Sequence, residues 1–218
     1  MDGLDCGFFE IALSKDYDLE WECQDFKTIP YSQQIRNLIL KALTKDEKSI
    51  LEADIQLGLL FKFSVKEFLK NRKVDIIGSH GQTIAHEDGI STRQIGNSQD
   101  LHNTFQIPVV YNLRQADIDV GGNGAPLMPF LDWLLFKDSG ENTITLNVGG
   151  MANISYIPFS GKREKVIGFD TGPGMALMDE TCREVWGLNM DEDGLKTSQG
   201  NVNEKLLNEL MECEYIFQ

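Results

Sequence analysis

Residues 166–180, VIGFDTGPGMALMDE, constrain the fold of this chain more than any other stretch. VIGF reads as a short buried strand, Asp170 follows, and Thr171, Gly172, Pro173 and Gly174 make a turn. Residues 175–186 then read as a helix stopped by Gly187. A strand that passes through a glycine turn into a helix is an α/β unit, and ligands of such sheets gather at strand ends. Asp170 is expected where the strand emerges, with the following helix N-terminus aimed at the same space, which favours anions. Two readings stand for it: a carboxylate facing a substrate, or a helix cap. The residues between Asp170 and the helix set it early for a cap.

The rest of the chain alternates strands and helices. Residues 4–13 and 17–26 read as paired strands, 29–43 and 49–70 as helices, and 74–78 and 107–113 as short buried strands. In the second helix Leu51, Ile55, Leu59 and Phe63 recur every four residues. Residues 126–136 predict a helix with Pro126 and Pro129 in its first turn and an apolar face of Leu127, Phe130, Leu131, Leu134 and Leu135. NTITLNV and MANISYI alternate on either side of Gly149-Gly150, a hairpin signal, and residues 203–213 suggest a last helix. The polar run KDSGEN marks a boundary, giving units 1–138 and 139–218. The second ends in EYIFQ with no closing element, as a chain cut inside a domain would.

Net charge is −14, which repels polyanions and argues against nucleic acid as a partner. It leaves room for a small phosphate held by backbone N–H groups. Cys6, Cys23, Cys182 and Cys213 are widely spaced, so neither a disulfide framework nor a protein metal site is expected, and a reducing cytoplasm fits. No apolar stretch reaches the length of a membrane span, so no membrane partner is expected.

Three glycine turns adjoin strands: Gly121-Gly122-Asn123-Gly124, Gly149-Gly150 and Gly172-Pro173-Gly174. None completes a dinucleotide fingerprint, and Gly161-Lys162 is followed by Arg163, which breaks a Walker A motif. What remains is phosphate held across hairpin turns, where Gly149 and Gly150 bare their N–H groups and Asn153 adds an amide. Asn153 also reads as a strand residue bonding its own turn. Arg114 and Asp117 read equally as a salt bridge or as ligand contacts. His80, in SHGQT, reads as a structural turn histidine or a ligand contact.

Together MDGLD (1–5), GSHGQT (78–83), QIGN (94–97), LRQADIDVGGNGAPLMP (113–129), NVGGMANIS (147–155) and GFDTGPG (168–174) resemble the anhydro-N-acetylmuramic acid kinase family. The segments fall in the family's order across almost the whole chain. The resemblance implies an α/β, actin/hexokinase-like (ribonuclease H-like) fold of two lobes with ATP between them, the second lobe incomplete here. It implies an ATP site at Met1, Asp2, Gly3, Leu4, Asp5, Gly149, Gly150 and Asn153, with Mg²⁺ on the nucleotide. It implies Asp170 as catalytic base and an amino-sugar site around Arg114, Asp117, His80, Gln82 and Gly172. The implied reaction opens 1,6-anhydro-N-acetylmuramic acid with water and phosphorylates O6, a step of cell-wall recycling in the cytoplasm. A homodimer is expected by analogy.

The sequence departs from the family pattern in places. Asn112-Leu113-Arg114 stands where the family has Asp-Phe-Arg, and Met175 follows the glycine turn where the family has Asn. The chain opens at Met-Asp-Gly without the family's Gly-Thr-Ser, and the family continues past residue 218, so a chain shortened at both ends is expected. Two other readings stay open: a non-catalytic actin-like module, and a glycosidase-like hydrolase using Asp170 without ATP.

Overall fold

The structure, a computed structural model, describes residues 3–44 and 46–213. Met1 and Asp2 of the expected ATP site, and the closing EYIFQ, lie outside the described residues. The fold is mixed α/β, with helices interleaved among small sheets. Two compact units are resolved, Met1–Leu127 and Met128–Gln218.

The first unit opens with a long antiparallel hairpin, β1 (Gly3–Leu13) and β2 (Leu19–Pro30). Helices α1 (Gln33–Ala42) and α2 (Glu47–Leu69) come next. The expected helix start at residue 29 moves to 33, because Ile29 and Pro30 still pair with Leu4 and Gly3. Ser32 and Asp46 cap the two helices, accepting from the N–H groups of Ile35 and Ser49. A guanidinium–carboxylate fork from Arg93 to Glu47, at 2.8 and 3.0 Å, ties the start of α2 to a later strand.

The apolar stripe expected on α2 is not its buried face. Leu51 is 61% exposed and Phe63 62%, whereas Ile50, Ala53, Leu57, Phe61 and Phe68 are buried. The reason is helical pitch: with 3.6 residues per turn, a strict four-residue repeat drifts about 40° per step and leaves the core. The true core joins α1 and α2 to Tyr31, Ile84, Ile95 and Leu101.

The expected strands at 74–78 and 107–113 shrink to β3 (Ile77–Gly78) and β6 (Val109–Val110), which pair in parallel. Asn112 in the left-handed region (φ 55°) ends the second, and Leu113 already begins helix α4 (Leu113–Asp119). Between them lie the antiparallel hairpin β4 (Gln82–Glu87) and β5 (Ser91–Ile95) and helix α3 (Gln99–Phe105).

The second unit begins at α5 (Met128–Phe136), so this helix groups with the later strands rather than closing the first unit at residue 138. Pro129 occupies the first turn, while Pro126 precedes the helix. Strands β7 (Thr143–Val148), β8 (Met151–Ile157) and β9 (Ile167–Pro173) form an antiparallel sheet in that order. Helices α6 (Ala176–Trp186), closed by Gly187 at φ 65°, and α7 (Glu204–Met211) complete the unit.

The face of α5 turned to the sheet also differs from the apolar pattern. Asp132 and Trp133 are buried, while Phe130, Leu131 and Leu135 are exposed. Asp132 is tolerated there because its Oδ2 accepts from the hydroxyls of Thr145 (2.7 Å) and Ser155 (2.6 Å). A Cβ on Gly168 would collide with the Pro129 ring, so the close approach of helix and strand requires glycine.

Candidate functional site

Asp170 does not sit at a strand end. β9 runs on to Pro173, and Asp170 lies within it, opposite Asn153. Register places Asn147 opposite Asn153 in turn, so Asn147, Asn153 and Asp170 form one polar rung across three strands. The preceding rung on the same face is Thr145, Ser155 and Gly168, which α5 covers. The succession of covered rung, then open rung, leaves Asp170 exposed at the rim of the helix. A register shift between Ala152 and Asn153 makes a β-bulge at this point, with Thr171 the extra residue. Bulges re-aim side chains and gather beside active sites. Among the described residues, the Asp170 carboxylate accepts no hydrogen bond, so it is available to a substrate or water.

The glycine turns sit against each other. The N–H groups of Gly174 and Ala176 donate to the Gly150 carbonyl (2.9 and 3.3 Å), and that of Met175 to the Gly149 carbonyl (2.8 Å). A Cβ on Gly174 would strike the Gly149 carbonyl oxygen. The first N–H of α6, that of Ala176, and the two N–H groups before it are thus engaged by the hairpin turn. The N–H groups of Gly149 and Gly150 donate to no described residue, and nothing crowds the space beside Gly150.

In the first unit, Arg114 and Asp117 share α4 and grip one glycine. The Gly124 N–H donates to Asp117 Oδ2 at 2.8 Å, and Arg114 Nη1 donates to the Gly124 carbonyl at 2.9 Å. The Gly122 N–H donates to the Asp117 carbonyl. Arg114 Nε also donates to His80 Nε2 at 3.0 Å, while His80 Nδ1 lies 2.9 Å from the Gly81 carbonyl. With Nε2 accepting from Arg114, this pairing makes Nδ1 the donor to the Gly81 carbonyl. The structure brings His80, Arg114 and Asp117 together around the 121–124 loop, with Gln82 nearby in β4, donating to the Thr83 carbonyl.

Beside His80 lies a recess of about 240 Å³ lined by Asp54, Ser79, Gln94, Asn97 and Asn112. Sequence reading singles out QIGN as a motif but assigns no role to Asn97, Asp54 or Asn112. Asp54 comes from α2 and holds the Gly96 N–H at 2.8 Å. Gly58 lets α2 approach Asn97 closely. Among the described residues no lysine or arginine lines the recess, and its polar lining of Asp54, Gln94, Asn97 and Asn112 suits hydroxyl and amide groups.

The described part of the expected first phosphate segment is the start of β1. Gly3, Leu4 and Asp5 lie in β1, paired with Pro30, Ile29 and Thr28. Leu4 packs into the core, and Asp5 accepts from the Thr28 hydroxyl at 2.6 Å. Gly172, at φ 130°, lies in β9 opposite Ala152. No group of three or more His, Cys, Asp or Glu among the described residues has metal-site geometry. No described helix is long and apolar enough to cross a membrane.

Comparison with known proteins identifies the family. The family model for anhydro-N-acetylmuramic acid kinase matches residues 1–218. The chain is similar to anhydro-N-acetylmuramic acid kinase from Bacillus cereus (strain G9842), 35% identical over 99% of this chain and 60% of the relative. It is similar to the same kinase from Bacillus cereus (strain B4264), 35% identical over 99% of this chain and 59% of the relative. Bacillus anthracis (strain A0248) has a relative at 34% identity, with 99% and 60% covered. The chain therefore spans about 60% of the length of these relatives. With a family model matched from end to end, the chain belongs to the anhydro-N-acetylmuramic acid kinase family.

Proposed function

We propose that this chain is the sugar- and phosphate-handling part of an ATP-dependent kinase that opens 1,6-anhydro-N-acetylmuramic acid and phosphorylates its O6. The observation that carries the reading is the open rung of Asn147, Asn153 and Asp170 beside two interlocked glycine turns, in a chain matched throughout by the family model. Within this reading the units are the lobes of an actin/hexokinase-like fold, the second incomplete.

Asp170 takes a proton from water, whose oxygen attacks C1 of the bicyclic sugar. The C1–O6 bond breaks, and O6 captures the terminal phosphoryl group of ATP, releasing ADP; the proton passes from Asp170 to solvent. The first half parallels inverting glycoside hydrolysis, with phosphoryl capture replacing protonation of the leaving oxygen. Gly149 and Gly150 donate their N–H groups to phosphate oxygens, and Asn153 adds its amide. Gly3, Leu4 and Asp5 would reach the nucleotide through β1. The side-chain oxygens of Asn147 and Asn153 would help hold Mg²⁺, which would supply neutralisation of phosphate charge. In the first unit His80, Gln82 and the polar recess hold the sugar, with Arg114 and Asp117 keeping the 121–124 loop in place, and Gly172 leaves room beside the base. The proposed setting is the cytoplasm, in peptidoglycan recycling, and the proposed assembly is a homodimer.

The test is ATP-dependent transfer of phosphate to the anhydro sugar, read by mass spectrometry of the product. Asp170→Asn is expected to cut turnover by a factor of about 10²–10⁴ or more while sugar affinity holds. Near-normal turnover in that variant rules out Asp170 as the base. Sugar hydrolysis without ATP would favour the glycosidase-like reading instead.

A further inference from the structure

The grip of α4 on Gly124 is not the only contact this residue makes. The β4–β5 hairpin reaches the same loop, where the Gly89 N–H donates to the Asn123 carbonyl at 3.1 Å. From β4, His86 turns its ring onto Gly124. A Cβ on Gly124 would lie 2.9 Å from Ile118 Cδ1 and 3.0 Å from His86 Cε1, so these two side chains close over the glycine. The ring is oriented from the hairpin turn: Asp88 Oδ1 lies 2.9 Å from His86 Nε2. The side chain of His86 is 21% exposed and that of Asp88 74%. A pair so open to water adds little energy of its own. Its part is to set the direction of the ring, and packing against Gly124 does the holding.

Gly124 is one side chain away from the polar recess. Arg114 spans the distance: Nη1 donates to the Gly124 carbonyl, Nε donates to His80 Nε2, and His80 lines the recess. The guanidinium is a rigid plane, so a shift of the carbonyl that holds one end moves the nitrogen that holds the other. A side chain that fixes Gly124 therefore fixes His80. Such coupling is physical only if the members move together, which can be read directly at Gly124 and at Arg114.

We propose that His86 is a positioning residue for the recess. Its ring, directed by Asp88, holds Gly124, and Gly124 through Arg114 holds His80 where it borders the recess. His86 is not among the residues that line the recess, so it acts only through the loop. The consequence for sugar binding rests on the reading of the recess as the sugar site; the mechanical claim does not.

The test follows the 218-residue chain by nuclear magnetic resonance. Two signals read the support without sugar: hydrogen exchange of the Gly124 amide and the Arg114 Nε–H resonance. A third, the dissociation constant for 1,6-anhydro-N-acetylmuramic acid, reads the consequence. His86→Ala should speed Gly124 exchange by about tenfold, erase the Arg114 Nε–H signal and weaken sugar binding by about fivefold. His86→Phe restores a ring and should bring Gly124 exchange back to within about threefold of the unaltered chain. Asp88→Ala changes an exposed turn position, leaves the core untouched, and should speed Gly124 exchange by about threefold. Ile90→Ala, 65% exposed at the same turn, should change none of the three. Gly124 exchange that stays unchanged in either His86→Ala or Asp88→Ala overturns the proposal, and so does a faster loop with an unchanged Arg114 signal. An unaltered chain that binds no sugar would overturn the sugar reading of the recess, while the first two signals still decide the role of His86.

Discussion

At the scale of the residue, burial and contact decide what a side chain can do. Tyr31 closes the first-unit core and is 7% exposed. Burial, then the charges of Asp5 and Cys6, push its phenol up from 10 to about 12. Between those values the unfolded chain releases the proton while the folded chain keeps it. The folded state then binds more protons than the unfolded one, so stability falls as pH rises through this window. The loss is about 2–3 kcal/mol, near 1.4 kcal/mol per unit. Denaturant midpoints measured from pH 9 to 12 should show it, and Tyr31→Phe should remove most of the slope while changing little at neutral pH. Gly174 tests a different constraint. Its Cβ would meet the Gly149 carbonyl, so Gly174→Ala should part the two turns and cost about 1–3 kcal/mol. Thermal unfolding reads the stability change, and ATP titration should show weaker binding if these turns hold phosphate.

At the scale of the element, α5 shows how far a sequence pattern reaches. Its helical character was legible from Pro129 and the density of leucines, but its buried face was not. That face is organised by Asp132, a charged residue that only its cross-strand hydroxyl partners make acceptable. Asp132→Ala should strand the Thr145 and Ser155 hydroxyls and destabilise the second unit by about 1–3 kcal/mol, measured by denaturant unfolding. Asp132→Asn keeps an acceptor and should cost less. The same limit governs α2, where a four-residue repeat mimics an amphipathic face that true helical pitch rotates into solvent. The β7–β8 hairpin was readable because alternation and a Gly-Gly turn coincide. The rung that sets Asp170 beside Asn153 and Asn147 was not, since register and a bulge belong to strand pairing rather than to any one strand. Asn112 likewise carries no local mark of its left-handed backbone, although Asn accepts that conformation more readily than most residues.

At the scale of the whole molecule, the two units differ in how much core each owns. Both clusters of buried apolar side chains lie in the first unit, built on α1, α2, β1 and the residues packed against them. In the second, the buried positions are few and partly polar: Asp132, Trp133, Ser155, Ile157 and Cys182. A chain segment this short is marginal even with a good core. With its sheet open on one face, the second unit buries little apolar surface among its described residues to set against chain entropy. Residues 1–127 expressed alone should therefore unfold cooperatively, with dispersed amide resonances. Residues 128–218 alone should keep helical far-ultraviolet dichroism yet lose near-ultraviolet signal from Trp133 and Trp186, and should bind a hydrophobic dye. The unmatched portion of a relative, added to 128–218, should restore the near-ultraviolet signal and sharpen the transition. A steep, dye-silent transition from 128–218 by itself would mean that this unit draws its stability from hydrogen bonding around Asp132 and the paired glycine turns, with the apolar face contributing nothing to it.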